Sequence, residues 1–303
     1  MKRTITQNHL SGMTSLIGAT FLYATIGFLS KYIGYSLPLF YQSWTKYLLA
    51  SLLMLWSYKS WKPVAKSSRL WITLRMLAGS ASFLLFFVTV NVLPVSLSYF
   101  IFYGGMTVAG FVLGALMFGE KTTLLRWCSL GLALIGLLFV YGVGVSLHGP
   151  LFVFLAFLSG VSSSFWGISS KKITEYPATQ LTFLDNALAV PLFMAISFFL
   201  GERWPLAEVS LTQGASLLTG VIFIVTALLV IHGFRKLDAQ LGSLVMLSEI
   251  VFVLLFDSVL FKTTPSLPAI IGGILIITAM VLPELNWSAV AERIYAYRRK
   301  IYR

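Results

Sequence analysis

Charge is scarce in this chain. Asp, Glu, Lys and Arg make up 11% of its 303 residues, where a soluble domain carries roughly 25%. That is too little to clothe a water-facing surface, which argues strongly against a soluble enzyme. Cysteine is nearly absent too: Cys128 stands alone, which rules out an internal disulfide, a thiolate zinc site and a Cys-x-x-Cys redox pair. Three histidines (His9, His148 and His232) lie far apart and suggest no metal cluster. Acidic residues number 10 against 22 basic ones, for a net charge of +12. In a soluble chain that excess would suggest nucleic acid, whereas in a membrane chain it reports basic cytoplasmic loops. The sequence has no phosphate loop and no nucleotide-binding glycine motif, so no ATP-driven step and no cofactor are expected.

Apolar residues are abundant, at 58% with a mean hydropathy of +0.87. A membrane-crossing helix needs about 20 mostly apolar residues. Ten such runs are legible, at 12–34, 38–58, 70–91, 95–118, 125–145, 150–171, 179–200, 212–233, 241–261 and 266–284. They are continuous and lack the alternation of a membrane barrel, so helices are expected, which satisfy their own backbone groups in lipid. The first run is too long, and followed by too many others, for a cleaved signal peptide. The break at Leu37-Pro38 is the shortest. With the N-terminus inside, 18 of the 22 basic residues fall on cytoplasmic segments, Arg75 counted among them. Lys31, Arg203 and Lys262 fall outside and Lys46 lies mid-span. That bias follows the positive-inside rule and places both termini in the cytoplasm.

Two pairs of matching segments indicate an internal repeat. Gly27-Phe-Leu-Ser-Lys-Tyr-Ile33 closes the first span, and Gly167-Ile-Ser-Ser-Lys-Lys-Ile173 closes the sixth, 140 residues on. Lys121-Thr122-Thr123 precedes the fifth span and Lys262-Thr263-Thr264 the tenth, with Gly131 and Gly272 in the same register. The predicted organisation is a short cytoplasmic N-terminus (1–11), a first half (12–145), a second half (150–284) and a basic tail (285–303). Five spans per half is an odd number, so the halves enter the membrane with opposite orientation. Inverted repeats of that kind are the usual build of secondary transporters, with a site near the midplane. In the tail, Trp287, Val290, Ile294, Tyr297 and Ile301 share one helical face. Arg293, Arg298, Arg299, Lys300 and Arg303 add charge suited to anionic lipid heads.

Several local features resemble the drug/metabolite transporter superfamily, and within it the EamA-type proteins. They are Lys46 mid-way in the second span, Val92-Leu93-Pro94-Val95-Ser96 between the third and fourth, and Phe118-Gly119-Glu120-Lys121 closing the fourth. Leu130 to Gly136 in the fifth span and Leu247-Ser248-Glu249-Ile250 in the ninth complete the likeness. Gly104-Gly105 stands where that family often carries proline, and Ile250 replaces a proline after Glu249. The resemblance spans roughly 12–284. It implies an all-α integral membrane protein of ten helices in two inverted five-helix repeats. It also implies transport of a small metabolite by alternating access, with no enzymatic step, in a bacterial inner membrane. Amino acids, nucleotide derivatives, cations and drugs are among that family's substrates.

Charge deep in a bilayer costs at least about 2.5–3.5 kcal/mol and by default hints at a site. Lys46 lies deep in the second span, as an anion anchor for a carboxylate or as one partner of a structural ion pair. Asp185 and Asn186 face Thr45 and Lys46 under the repeat offset, and Glu249 lies deep in the ninth span. Asp257 and Lys31 lie nearer span ends, and Arg75 is expected at an interface. Tyr99 and Tyr103 share one face at i,i+4, ahead of Gly104-Gly105. Those glycines suit either a cavity lining or close helix approach. Trp166 offers an aromatic wall for a flat ring or a cation. His232 serves as a proton relay or as a satisfied structural histidine. The candidate substrate-binding residues are therefore Lys46, Tyr99, Tyr103, Trp166, Asp185, Asn186 and Glu249. One deep cation and two deep carboxylates match an amino acid or an amine-bearing zwitterion; S-adenosylmethionine, a substrate of some transporters that this chain resembles, fits the same count. The other readings are an exporter of drugs or other metabolites, a membrane-embedded enzyme, and a non-transporting receptor or assembly subunit. No nucleic-acid partner is expected. Membrane lipid and a small-molecule substrate are, in a monomer or a homodimer.

Overall fold

A computed structural model describes residues 2–34, 36–142, 149–205, 210–260 and 262–284. Every regular element among them is helical. The order is α1 (Lys2–Ile33), α2 (Leu39–Met54), α3 (Lys66–Val92), α4 (Val95–Phe118), α5 (Leu124–Tyr141) and α6 (Pro150–Ser169). It continues with α7 (Ala178–Phe199), α8 (Leu211–Lys236), α9 (Ala239–Met246), α10 (Ser248–Leu260) and α11 (Leu267–Val281). The amphipathic face and basic cluster expected over 285–303 lie outside the described residues.

Among the described residues nine helices are long and apolar enough to cross a membrane, counting α9 and α10 together as Ala239–Leu260. The run at 38–58 is the exception to the ten expected. There α2 holds 16 residues, about 24 Å at 1.5 Å per residue, and a tighter 3-10 turn over Leu55–Ser60 continues it. The short break at Leu37-Pro38 is real: Pro38 sits in extended conformation at the N-cap of α2. Proline offers no side-chain acceptor, so Glu202, beyond the end of α7, accepts from the Phe40 and Tyr41 amides at 3.1 and 2.7 Å.

The packing pairs off. α1 lies on α8, and α6 lies on α3; α4 lies on α6, and α1 on α10; α2 pairs with α7, and α5 with α11. Exchanging each helix for the one in its corresponding place in the other half maps these pairs onto one another. Close approaches are made by glycine. A Cβ on Gly105 would lie 2.6 Å from the Phe157 carbonyl oxygen, and one on Gly160 would strike the Phe102 carbonyl oxygen. Gly105 thus lets α4 and α6 touch through their backbones, the close-approach reading, and α4 runs on unbroken. The break in the bundle comes instead at Leu247, between α9 and α10, where Leu247 and Ile250 bond three residues back. Thr20 on α1 meets Ser248 at 2.7 Å beside that break.

One end of the bundle is basic and densely linked. Glu120, following the left-handed Gly119 that ends α4, receives Lys171 Nζ at 3.0 Å and the Ala239 and Gln240 amides at 2.7 and 3.1 Å. Arg126 pairs with Asp238. Arg235 donates to the Ser170, Ile173 and Tyr176 carbonyls. At this end Ser68 bonds Glu175 at 2.7 Å, and Gln180 spans the Lys62 backbone. His232 shares a 3.1 Å hydrogen bond with Ser11, the satisfied reading of that histidine. Arg75 is not part of this end: it is fully buried among helices, which corrects its expected interfacial place. The reason is that α3 begins at Lys66, four residues before the apolar run. Arg75 therefore lies nine residues in, about 14 Å deep.

Candidate functional site

A cavity of about 330 Å³ opens between α1, α2, α3, α4, α6, α7, α8, α9 and α10. Its lining is largely aromatic and aliphatic, with a few polar groups, as ligand sites usually are. Tyr99, Tyr103, Trp166, Asp185, Asn186 and Glu249 all line it. So do Gly27 and Gly167, the first residues of the two repeated segments. Lys46 is not on the lining itself. Its ammonium lies 5.3 Å from the Tyr47 ring and 5.1 Å from the Phe83 ring, and both of those rings line the cavity. Among the described residues it has no ion-pair partner.

The structural pair is elsewhere. Asp185 Oδ2 receives Arg75 Nε at 3.1 Å, Arg75 Nη2 at 2.9 Å and Trp166 Nε1 at 2.8 Å. The third guanidinium nitrogen of Arg75, Nη1, donates to the Trp166 carbonyl, and the guanidinium lies 4.7 Å from the indole ring. Helices α3, α6 and α7 are thereby joined at one point. Gly79 makes room for it: a Cβ there would fall 2.8 Å from Trp166 Cδ1. A buried ion pair needs excellent geometry and extra hydrogen bonds to offset its desolvation, and this one has both. Trp166 thus carries a hydrogen-bonding duty beside its aromatic surface. Its indole was legible in the sequence; its partner Arg75 was not.

Glu249 is arranged differently. It lies in the first turn of α10, directly after the break at Leu247. Unpaired amides at a helix start favour an acidic group there. The Tyr103 hydroxyl is within hydrogen-bond reach, and Tyr23, Tyr99 and Tyr141 are close enough to interact with its charge. The rings of Tyr99, Tyr103 and Tyr141 form a near-parallel set with centroids 6.0–6.4 Å apart. No basic side chain pairs with Glu249 among the described residues. The i,i+4 spacing foretold Tyr99 beside Tyr103. Tyr23 on α1 and Tyr141 at the end of α5 carried no comparable signal, since each sits in an ordinary apolar run.

Chemically, the cavity offers one carboxylate neutralised by arginine, one carboxylate without a cationic partner, and an ammonium resting on aromatic rings at its border. Among the described residues no group of His, Cys, Asp and Glu is placed to hold a metal ion. Comparison with known proteins agrees with this membrane architecture. Residues 150–283 match the EamA-like transporter family, and residues 42–135 match the family described as Small Multidrug Resistance protein. A solved crystal structure superposes with a TM-score of 0.77 at 16% identity, covering 95% of this chain and 99% of that one. That likeness concerns the fold. No curated protein matches.

Proposed function

We propose, from the premise that the chain belongs to the drug/metabolite transporter superfamily and is EamA-like over its second half, that it is a secondary transporter of an amine-bearing or zwitterionic metabolite. Amino acids fit, and so does an aminoacyl nucleoside such as S-adenosylmethionine. The observation that carries this reading is the contrast between the two acids in one cavity. Asp185 has its counter-charge in Arg75, while Glu249 has none among the described residues and shares its cavity with four tyrosines. A buried charge without a partner is costly, and a substrate ammonium would supply the missing one. Tyrosine faces add attraction for a cation. Lys46, at the border, is the group left to meet a substrate carboxylate, because Arg75 is engaged. A phosphorylated compound would need several free cations there. The energy comes from a solute or ion gradient. The inner membrane and the cytoplasmic termini of the opening reading belong to the same proposal.

Counterflow in proteoliposomes tests it. Unlabelled amino acids and S-adenosylmethionine should drive exchange of a labelled member of that set, and neutral sugars and sugar phosphates should not. Exchange driven only by sugars or phosphates would overturn the charge-matching reading. Product formation in place of movement would mark an enzyme.

A further inference from the structure

Four residues of the cavity lining also carry buried polar atoms that make no hydrogen bond. Ser80 Oγ on α3, Ser164 Oγ on α6, Asp185 Oδ1 and Asn186 Nδ2 on α7 are buried and unpartnered, and all four residues line the same cavity. Asn186 is 1% exposed and Ser164 3%. Buried polar groups are nearly always paired in folded proteins, and each exception calls for an explanation. An isolated orphan is ordinary. Four on residues that line one cavity, contributed by three helices, amount to unused bonding capacity around it.

The chemistry of the patch is mixed. Asn186 Nδ2 donates, Asp185 Oδ1 accepts, and the two hydroxyls do either. It carries no free charge, because Asp185 Oδ2 is already held by Arg75 and Trp166. A second carboxylate or a phosphate would face the Asp185 oxygen. A second ammonium would face the Arg75 guanidinium and the Asn186 amide. A neutral planar group bearing both a donor and an acceptor meets neither objection. Tyr23, Asp185 and Glu249 all line that cavity, so the two stations share it.

We infer that Ser80, Ser164, Asp185 and Asn186 form a second subsite, which reads a neutral planar hydrogen-bonding edge, a carboxamide or a nucleobase, on the same substrate whose cation meets Glu249. The inference rests on the proposed transport reading for its substrate and on the orphaned atoms for its chemistry. Arg75 acts in it as a positioning residue, holding Asp185 so that Oδ1 is presented.

Two matched pairs of probes test it on the purified full-length protein. S-adenosylmethionine and S-methylmethionine share a head and differ in the whole nucleoside, ribose as well as nucleobase, so the variants decide whether the nucleobase edge is what is read. Glutamine and norleucine share a head and differ in the carboxamide. In binding titrations the hydrogen-bonding member of at least one pair should bind about tenfold tighter, an ordinary return for satisfied buried partners. Ser164→Ala and Asn186→Leu should each shrink that ratio by weakening the hydrogen-bonding member of a pair more than its matched partner. Ser80→Ala serves as a milder variant if Asn186→Leu fails to fold. Equal binding within both pairs, no binding of any probe, or a ratio unmoved by the variants overturns the subsite; the last outcome would mean that water fills it. Selective binding without uptake in proteoliposomes would overturn the transport reading and leave the subsite standing.

Discussion

Asp185 and Glu249 are both carboxylic acids sunk in the same cavity, and sequence depth treats them alike. Their surroundings do not. Asp185 takes three donors on one oxygen, two of them from a fully buried arginine. Glu249 has a tyrosine hydroxyl, a helix start and, among the described residues, no counter-charge. The first arrangement ties three helices together; the second leaves a vacancy of charge. What separates the two acids here is the partner, not the depth.

The largest effect should come from breaking the pair. Arg75→Leu strands Asp185, and losing one member of a buried pair costs about 3–5 kcal/mol. Folded yield in detergent should collapse, and the double variant Arg75→Leu with Asp185→Leu should recover most of it. A well-folded single variant would mean that the pair is not structural. Glu249→Gln should do the opposite: thermal melting near that of the parent, with uptake of an amine-bearing substrate below about a tenth, as expected when an ionic contact worth over about 1.4 kcal/mol is lost. Normal uptake would remove Glu249 from the site.

Lys46→Ala should reduce uptake less, by about threefold to tenfold, since its ammonium sits at the border behind Tyr47 and Phe83. Lys46→Arg should retain part of the activity. A misfolded Lys46→Ala protein would make that lysine structural after all. The smallest change is expected for Tyr103→Phe, which removes one hydroxyl beside Glu249 and should weaken apparent affinity by about threefold. A loss as deep as that of Glu249→Gln would shift the site's centre to the tyrosines.

Most of the fold was legible because lipid demands long apolar runs, and few other sequences produce ten of them. The exceptions are instructive. Leu247-Ser248 contains neither proline nor glycine, so the break between α9 and α10 has no local signal; it coincides with the Thr20–Ser248 contact from another helix. Gly104-Gly105 has the composition of a break, yet α4 runs through it and Gly105 is a packing surface. Arg75 follows Lys66 and Arg69 closely, so it looked like the edge of a basic loop, and only the early start of α3 reveals its depth. Six of the seven candidate residues share one cavity because mid-span polar groups have few other places to go. Tyr23, Tyr141, Ser80 and Ser164 join them through helix packing that a linear pattern does not encode.

Glu120 belongs to the first half of the chain, and the two amides it caps, those of Ala239 and Gln240, begin α9 in the second. The start of that helix therefore lacks an acceptor of its own: Asp238, at the N-cap, makes no side-chain cap bond. Any motion that parts the halves at the basic end must strip those two amides at once. Their hydrogen–deuterium exchange is then a built-in gauge of that parting, readable without a label or a ligand. The Phe40 and Tyr41 amides, held by Glu202 at the opposite end, supply the matching gauge there.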